Sequence, residues 1–176
     1  MGFMSKITVG LGALALMSSG AMAQEQSTNR VAAKTDWSVF VEDDPTECWG
    51  VATPKETVNT REGRVVAATR GQILLMVFYR PSAEAKGQVA FTGGYPFRSG
   101  ATVNVNISGY EFELFTDGEW AWPATPADDS KIVTAMNRGA DAVVTGVSSR
   151  GTPTKDTFSL LGFTAAVEYS ESLCGS

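Results

Sequence analysis

The sequence contains no histidine in 176 residues. This absence removes the side chain most often used near neutral pH as general base, proton shuttle and metal ligand. Any serine is left without the usual activating imidazole. Cysteine is nearly absent as well: Cys48 and Cys174 are the only two, and two thiols without histidine cannot complete a tetrahedral zinc site. No two lysines or arginines are adjacent, so the clustered basic face that displaces counterions from nucleic acid is missing. The same shortage argues against an anionic membrane surface as partner. No run of about 18 uninterrupted apolar residues occurs, whereas a helix needs about 20 to cross a bilayer.

What is present begins with a processing segment. Lys6 supplies a positive start, residues 7–17 a short apolar stretch, and Ala21-Met22-Ala23 a small-residue cleavage site. Residues 1–23 are therefore expected to be a signal peptide, cut after Ala23. No cysteine stands at that site to take a lipid, so the processed chain is expected to lack an anchor. It would keep 153 residues, enough for one domain burying about 68–70% of its unfolded surface, and with Lys6 gone it carries 13 basic against 19 acidic residues, a net charge of −6. Export, periplasmic or extracellular, puts both cysteines where thiols pair. One Cys48–Cys174 disulfide is the economical expectation, with two free or metal-binding thiols as the alternative. A bond across 126 positions contributes about 4–5 kcal/mol in the chain-entropy account.

Residues 24–35 are polar and aperiodic, the pattern of a disordered tail, and the domain is expected over 36–176. Trp37, Val39 and Val41 alternate as a strand, broken by Asp43-Asp44-Pro45-Thr46, and Cys48 begins the return strand. Residues 54–63 read as a loop. Residues 65–68 and 73–79 are the next strands, the second apolar on both faces and so central, ended by Arg80-Pro81. A short strand over 89–91 leads to the corner Gly93-Gly94-Tyr95-Pro96-Phe97. Alternation over 102–108 and 110–114, turned at Ser108-Gly109, predicts a hairpin, and residues 119–122 add a third strand with Trp120 and Trp122 on one face. Asp128 or Asp129 is read as the cap of a helix carrying Ile132, Ala135 and Met136, stopped at Gly139. Residues 142–148 and 157–161 form a second expected hairpin, with Arg150 at its tip. The final stretch fits a helix facing inward through Phe163, Ala166, Val167, Leu173 and Cys174, with a strand through Phe163, Ala165, Val167 and Tyr169 as the alternative.

Few constellations suggest chemistry. Asp43-Asp44 and Asp128-Asp129 lack the alternating oxygen ligands of a calcium loop; a turn and a helix cap explain them. A glycosidase pair drawn from distant strands stays open on sequence alone. The run from Gly146 to Gly151 fails the spacing of a nucleophile elbow, and Lys155 reads as a solvated lysine rather than a base for serine. Trp120 and Trp122 with Tyr95 and Phe97 could form an aromatic platform for a glycan or a protein, although core packing is the favoured reading of such rings. Arg150 is the best single candidate for a partner contact. Catalytic, cofactor and metal residues are expected to be none.

The order of features resembles the invasion-associated locus B family of exported bacterial proteins. The likeness runs from Trp37 through Cys48-Trp49, Gly94-Tyr95-Pro96-Phe97, Trp120-Ala121-Trp122 and Ile132 to Met136. It continues through Ser149-Arg150-Gly151-Thr152 and Ser159-Leu160-Leu161-Gly162-Phe163-Thr164-Ala165-Ala166 to Cys174. The resemblance implies a mainly β, immunoglobulin-like antiparallel sandwich with one or two short helices, exported and without assigned enzymatic activity. In pathogens the family is associated with entry into host cells. It offers no catalytic or ligand residue to transfer; the cysteine pair carries over as a structural role. The expectation is thus a non-catalytic exported protein acting on an unknown protein or envelope component, and the alternative is a carbohydrate-binding module built on Tyr95, Trp120 and Trp122.

Overall fold

Period-two alternation dominates the structure, a computed structural model that describes residues 29–44 and 46–175. The strands are β1 (Arg30–Lys34), β2 (Trp37–Asp43), β3 (Thr46–Ala52), β4 (Glu56–Arg61), β5 (Arg64–Val66) and β6 (Leu74–Arg80). They continue with β7 (Ala85–Thr92), β8 (Thr102–Ile107), β9 (Tyr110–Asp117) and β10 (Trp120–Trp122), then, after helix α1 (Pro126–Met136), β11 (Asp141–Val147) and β12 (Pro153–Ser159), and the chain closes on helix α2 (Phe163–Cys174). All pairings are antiparallel, in one continuous sheet ordered β1-β2-β3-β6-β7-β10-β9-β8-β11-β12-β4-β5.

The sheet curves back over itself. β7 and β12 are far apart in its order, yet Phe91 and Phe158 meet edge to face with centroids 6.1 Å apart. The inward residues Val39, Leu75, Val77, Val89, Phe91, Val103, Val105, Ile107, Ala142, Val144 and Phe158 form one buried core. Two layers across a single core are compatible with the sandwich that the family resemblance implies. β6 is buried on both faces because the core and α2 lie on one side and Trp49, Met76, Phe78 and Ala90 cluster on the other.

α2 rests on the inner face of β2 and β3: Phe163 packs edge to face on Trp37 at 4.9 Å, and Ala166 sits over Gly50. The segment is a helix with Gly162 at its start, and Phe163, Ala166, Val167 and Cys174 face inward; Leu173, expected on the same face, is exposed, and Ser170 is buried in its stead. Its last residue, Cys174, is disulfide-bonded to Cys48, with a Cα–Cα distance of 5.7 Å. The expected clasp is present.

Several boundaries differ from expectation. The tail does not extend to residue 35, because β1 pairs with β2 from Arg30; the rest of that tail through residue 28, like the leader, lies outside the described residues. Residues 54–63 contain a strand rather than a loop. β4 is polar because its stability comes from backbone ladders to β12 and β5 rather than from an apolar face. The cap of α1 is Thr125, whose hydroxyl accepts from the Asp128 N–H, and Pro126 is the first helical residue. Asp129 instead reaches across to accept from the Val89 N–H at 2.7 Å. Pro153 and Thr154 belong to β12, so the turn between β11 and β12 is shorter than expected.

Candidate functional site

β12 alternates Thr154, Asp156 and Phe158 inward and Pro153 and Lys155 outward. A carboxylate at an inward position must find a partner, since an unpaired buried charge is costly. Asp156 finds Arg70: Nη1 and Nη2 donate to its two oxygens at 2.7 and 2.6 Å. The side chains are 6% and 0% exposed. Arg70 Nε donates to the Gly93 carbonyl at 2.8 Å, and Nη1 also reaches the Asn59 side chain at 3.4 Å.

The corner that follows β7 makes this contact possible. Gly94 adopts φ +69°, and a Cβ there would lie 2.7 Å from the Gly71 backbone, so glycine alone allows the two segments to touch. The Gly71 N–H then donates to the Gly94 carbonyl at 2.8 Å. Tyr95, next in the chain, turns its ring beneath Arg70, 4.9 Å from the guanidinium carbon, and its hydroxyl shares a hydrogen bond with Thr154. Burial raises the Tyr95 pKa, with Thr154 and Arg70 opposing.

Arg70, Tyr95, Asn59 and Thr154 floor a cleft of about 490 Å³. One wall is the β11–β12 turn, tied by the Gly151 N–H to the Ser148 carbonyl at 2.8 Å and by the Thr152 N–H to the Ser148 hydroxyl at 3.1 Å. Arg150 projects from it, exposed. The other wall is Arg61 at the end of β4 and the exposed segment 67–69, with Glu119 also at the rim.

Of the sequence candidates, Tyr95 and Arg150 come together here. Trp120 and Trp122 do not join them. They stack on each other at 5.7 Å on the opposite face of β10, Trp120 36% exposed and Trp122 half-buried against the outer cluster of Trp49 and Phe78. The three-ring platform therefore divides, because Tyr95 packs against the inner core while the tryptophans lie on the outside. Asp43 and Asp44 lie exposed at the β2–β3 turn, Asp128 bonds to the cap residue Thr125 of α1, and Asp129 ties α1 to Val89 of β7. Among the described residues no group of three or more cysteines, aspartates or glutamates is arranged to hold a metal ion.

Sequence reasoning missed Arg61, Arg70, Asp156 and the segment 67–69. The available signal was Asp156 itself, a charge on the inward face of a strand between Thr154 and Phe158. Its partner, 86 positions away, could not be read locally.

Among the described residues no helix is long and apolar enough to cross a membrane. No curated protein sequence matches the chain. The crystal structure of invasion associated protein B from Bartonella henselae is similar, with a TM-score of 0.56 and 16% identity over 82% of this chain and 98% of that one, a likeness of fold. The family model described as invasion associated locus B (IalB) protein matches residues 37–171. Taken with the antiparallel β fold that frames the cleft, this match shows that the chain belongs to the invasion associated locus B family.

Proposed function

We infer that the protein is an exported, non-catalytic β domain, periplasmic or secreted, that acts by contact with another protein or an envelope component through the cleft. One observation carries this reading. Arg61 and Arg150 line the mouth, and neither has an ion-pair partner among the described residues, while Arg70, Asp156, Tyr95 and Thr154 are already bonded to one another. Arginine is favoured at protein contacts because its planar fork binds carboxylates and carbonyls in defined directions. The non-catalytic reading is supported by Asp156 being buried and held by Arg70, which leaves Glu119 as the accessible carboxylate of the cleft, whereas carboxylate-pair hydrolysis needs two. A photo-reactive residue placed at Ser149 on the wall tests it in the native envelope. A defined cross-linked species is expected, and its absence at every expression level overturns the reading.

The alternative is a glycan contact on the stacked Trp120 and Trp122, favoured by the exposure of Trp120. Envelope polysaccharides should then change tryptophan fluorescence in the native protein and not in Trp120→Ala.

A further inference from the structure

We propose that the cleft takes an extended acidic peptide segment of a protein partner. Its carboxylates sit on Arg61 and Arg150 and its main chain lies along residues 67–69. The proposal rests on the partner-binding reading of the cleft and names the chemistry of what enters it.

The backbone supplies the first half of the argument. Arg61 pairs with Arg64 across the Glu62-Gly63 turn, and the β4–β5 ladder runs to Asn59 and Val66. There it stops. Residues 67–69 lie outside any strand and exposed, and no hydrogen bond joins them to another described residue. They line the cleft, in the chain that continues directly from β5, the terminal strand of the sheet. Open main-chain groups beside a sheet edge are the recognition surface for a peptide that binds by adding a strand.

Charge supplies the second half. The titratable groups at the cleft are Arg61, Arg70, Arg150, Tyr95 and Glu119, with Asp156 beneath Arg70. Once Arg70 and Asp156 neutralise each other, two guanidinium groups face one carboxylate. This local positive balance sits in a processed chain of net −6. Both mouth arginines are exposed and keep all their donors, so an acidic side chain gains charge-assisted hydrogen bonds without breaking one already made. Glu119 repels a dense polyanion and favours carboxylates spaced along a strand, where alternate side chains point the same way. The hydroxyl-bearing wall of Ser148, Ser149 and Thr152 suits a polar peptide rather than an apolar one.

The test uses the processed full chain and fluorescence anisotropy with a labelled eight-residue peptide alternating glutamate and valine. A glutamine-for-glutamate peptide isolates charge. A glutamate peptide N-methylated at alternate residues isolates main-chain pairing, and inorganic phosphate tests for a site that takes any small anion. Saturable binding of the glutamate peptide is expected. It should weaken at least about tenfold with the glutamine peptide, with the N-methylated peptide and in Arg61→Gln/Arg150→Gln, since charged hydrogen bonds carry that much affinity. Amide exchange at residues 67–69 should slow on binding. No saturable binding, equal binding by the glutamine peptide or the double variant, or complete displacement by millimolar phosphate overturns the proposal; equal binding by the N-methylated peptide overturns its main-chain half. If the Ser149 cross-link forms while the glutamate peptide fails, the ligand class falls and the partner reading stands. If the peptide binds and no cross-link forms, the failure lies with the partner reading.

Discussion

Two places in the molecule join distant stretches of chain, and they do so differently. At the clasp, Cys48 and Cys174 close 126 positions within the buried apolar core, where α2 ends. At the cleft, Arg70 and Asp156 close 86 positions by a buried ion pair with Asn59, Tyr95 and Thr154 around it. The clasp is finished: its side chains are buried and none is left to act. The cleft is finished at its floor and open at its mouth, where the Arg61 and Arg150 side chains and the main chain of residues 67–69 have no hydrogen-bond or ion-pair partner within the described chain. The contrast separates residues that hold the fold from residues that are free to contact something else.

The largest effect that tests this contrast is loss of the clasp. Cys48→Ala with Cys174→Ala should lower stability by about 4–5 kcal/mol in urea unfolding, because the unfolded chain regains a long loop's freedom. Next comes the floor. Asp156→Asn should cost about 3–5 kcal/mol by leaving Arg70 buried without its counter-charge. A loss below about 1 kcal/mol would show that the pair does not organise the cleft.

A smaller effect distinguishes Asp156 from the other buried carboxylate, Asp129, whose partner is the Val89 N–H rather than a guanidinium. Burial raises the Asp129 pKa, so the folded state holds this proton more tightly than the unfolded chain does. Its contribution therefore favours folding at low pH and is lost as pH rises through the folded pKa, which lies above the ordinary value of an aspartate. Asp129→Asn keeps the acceptor and removes the titration. The stability of the native protein relative to this variant should fall as pH is raised from about 3.5 to 6, followed by urea midpoints. The smallest effect belongs to the mouth: Arg61→Ala and Arg150→Ala should each change stability by no more than about 0.5 kcal/mol.

Much of the fold was legible because its elements repeat a local period. The alternation of Val103, Val105 and Ile107 against polar neighbours marked the β8–β9 hairpin, and Ile132 and Met136 marked α1. β4 was not legible: Thr57, Asn59 and Thr60 resemble a loop, and their strand state comes from β12 and β5 on either side. The cap of α1 shifted because Thr125 and Pro126 together start a helix earlier than the acidic pair suggested. At the site, Tyr95 and Arg150 were visible as an aromatic corner and a hairpin tip. Arg70 and Arg61 looked like turn and loop residues. What makes them a floor and a wall is long-range placement, which a pattern of neighbours along the chain does not encode.

The central claim is that the mouth arginines serve a partner and not the fold. The direct measurement sets Arg61→Ala/Arg150→Ala beside the native protein, each carrying the photo-reactive group at Ser149, and records both the urea midpoint and the yield of cross-linked product in the native envelope. The account predicts an unchanged midpoint and loss of the product. A variant that unfolds at a much lower urea concentration, or one equally stable that forms the product in undiminished yield, would contradict it.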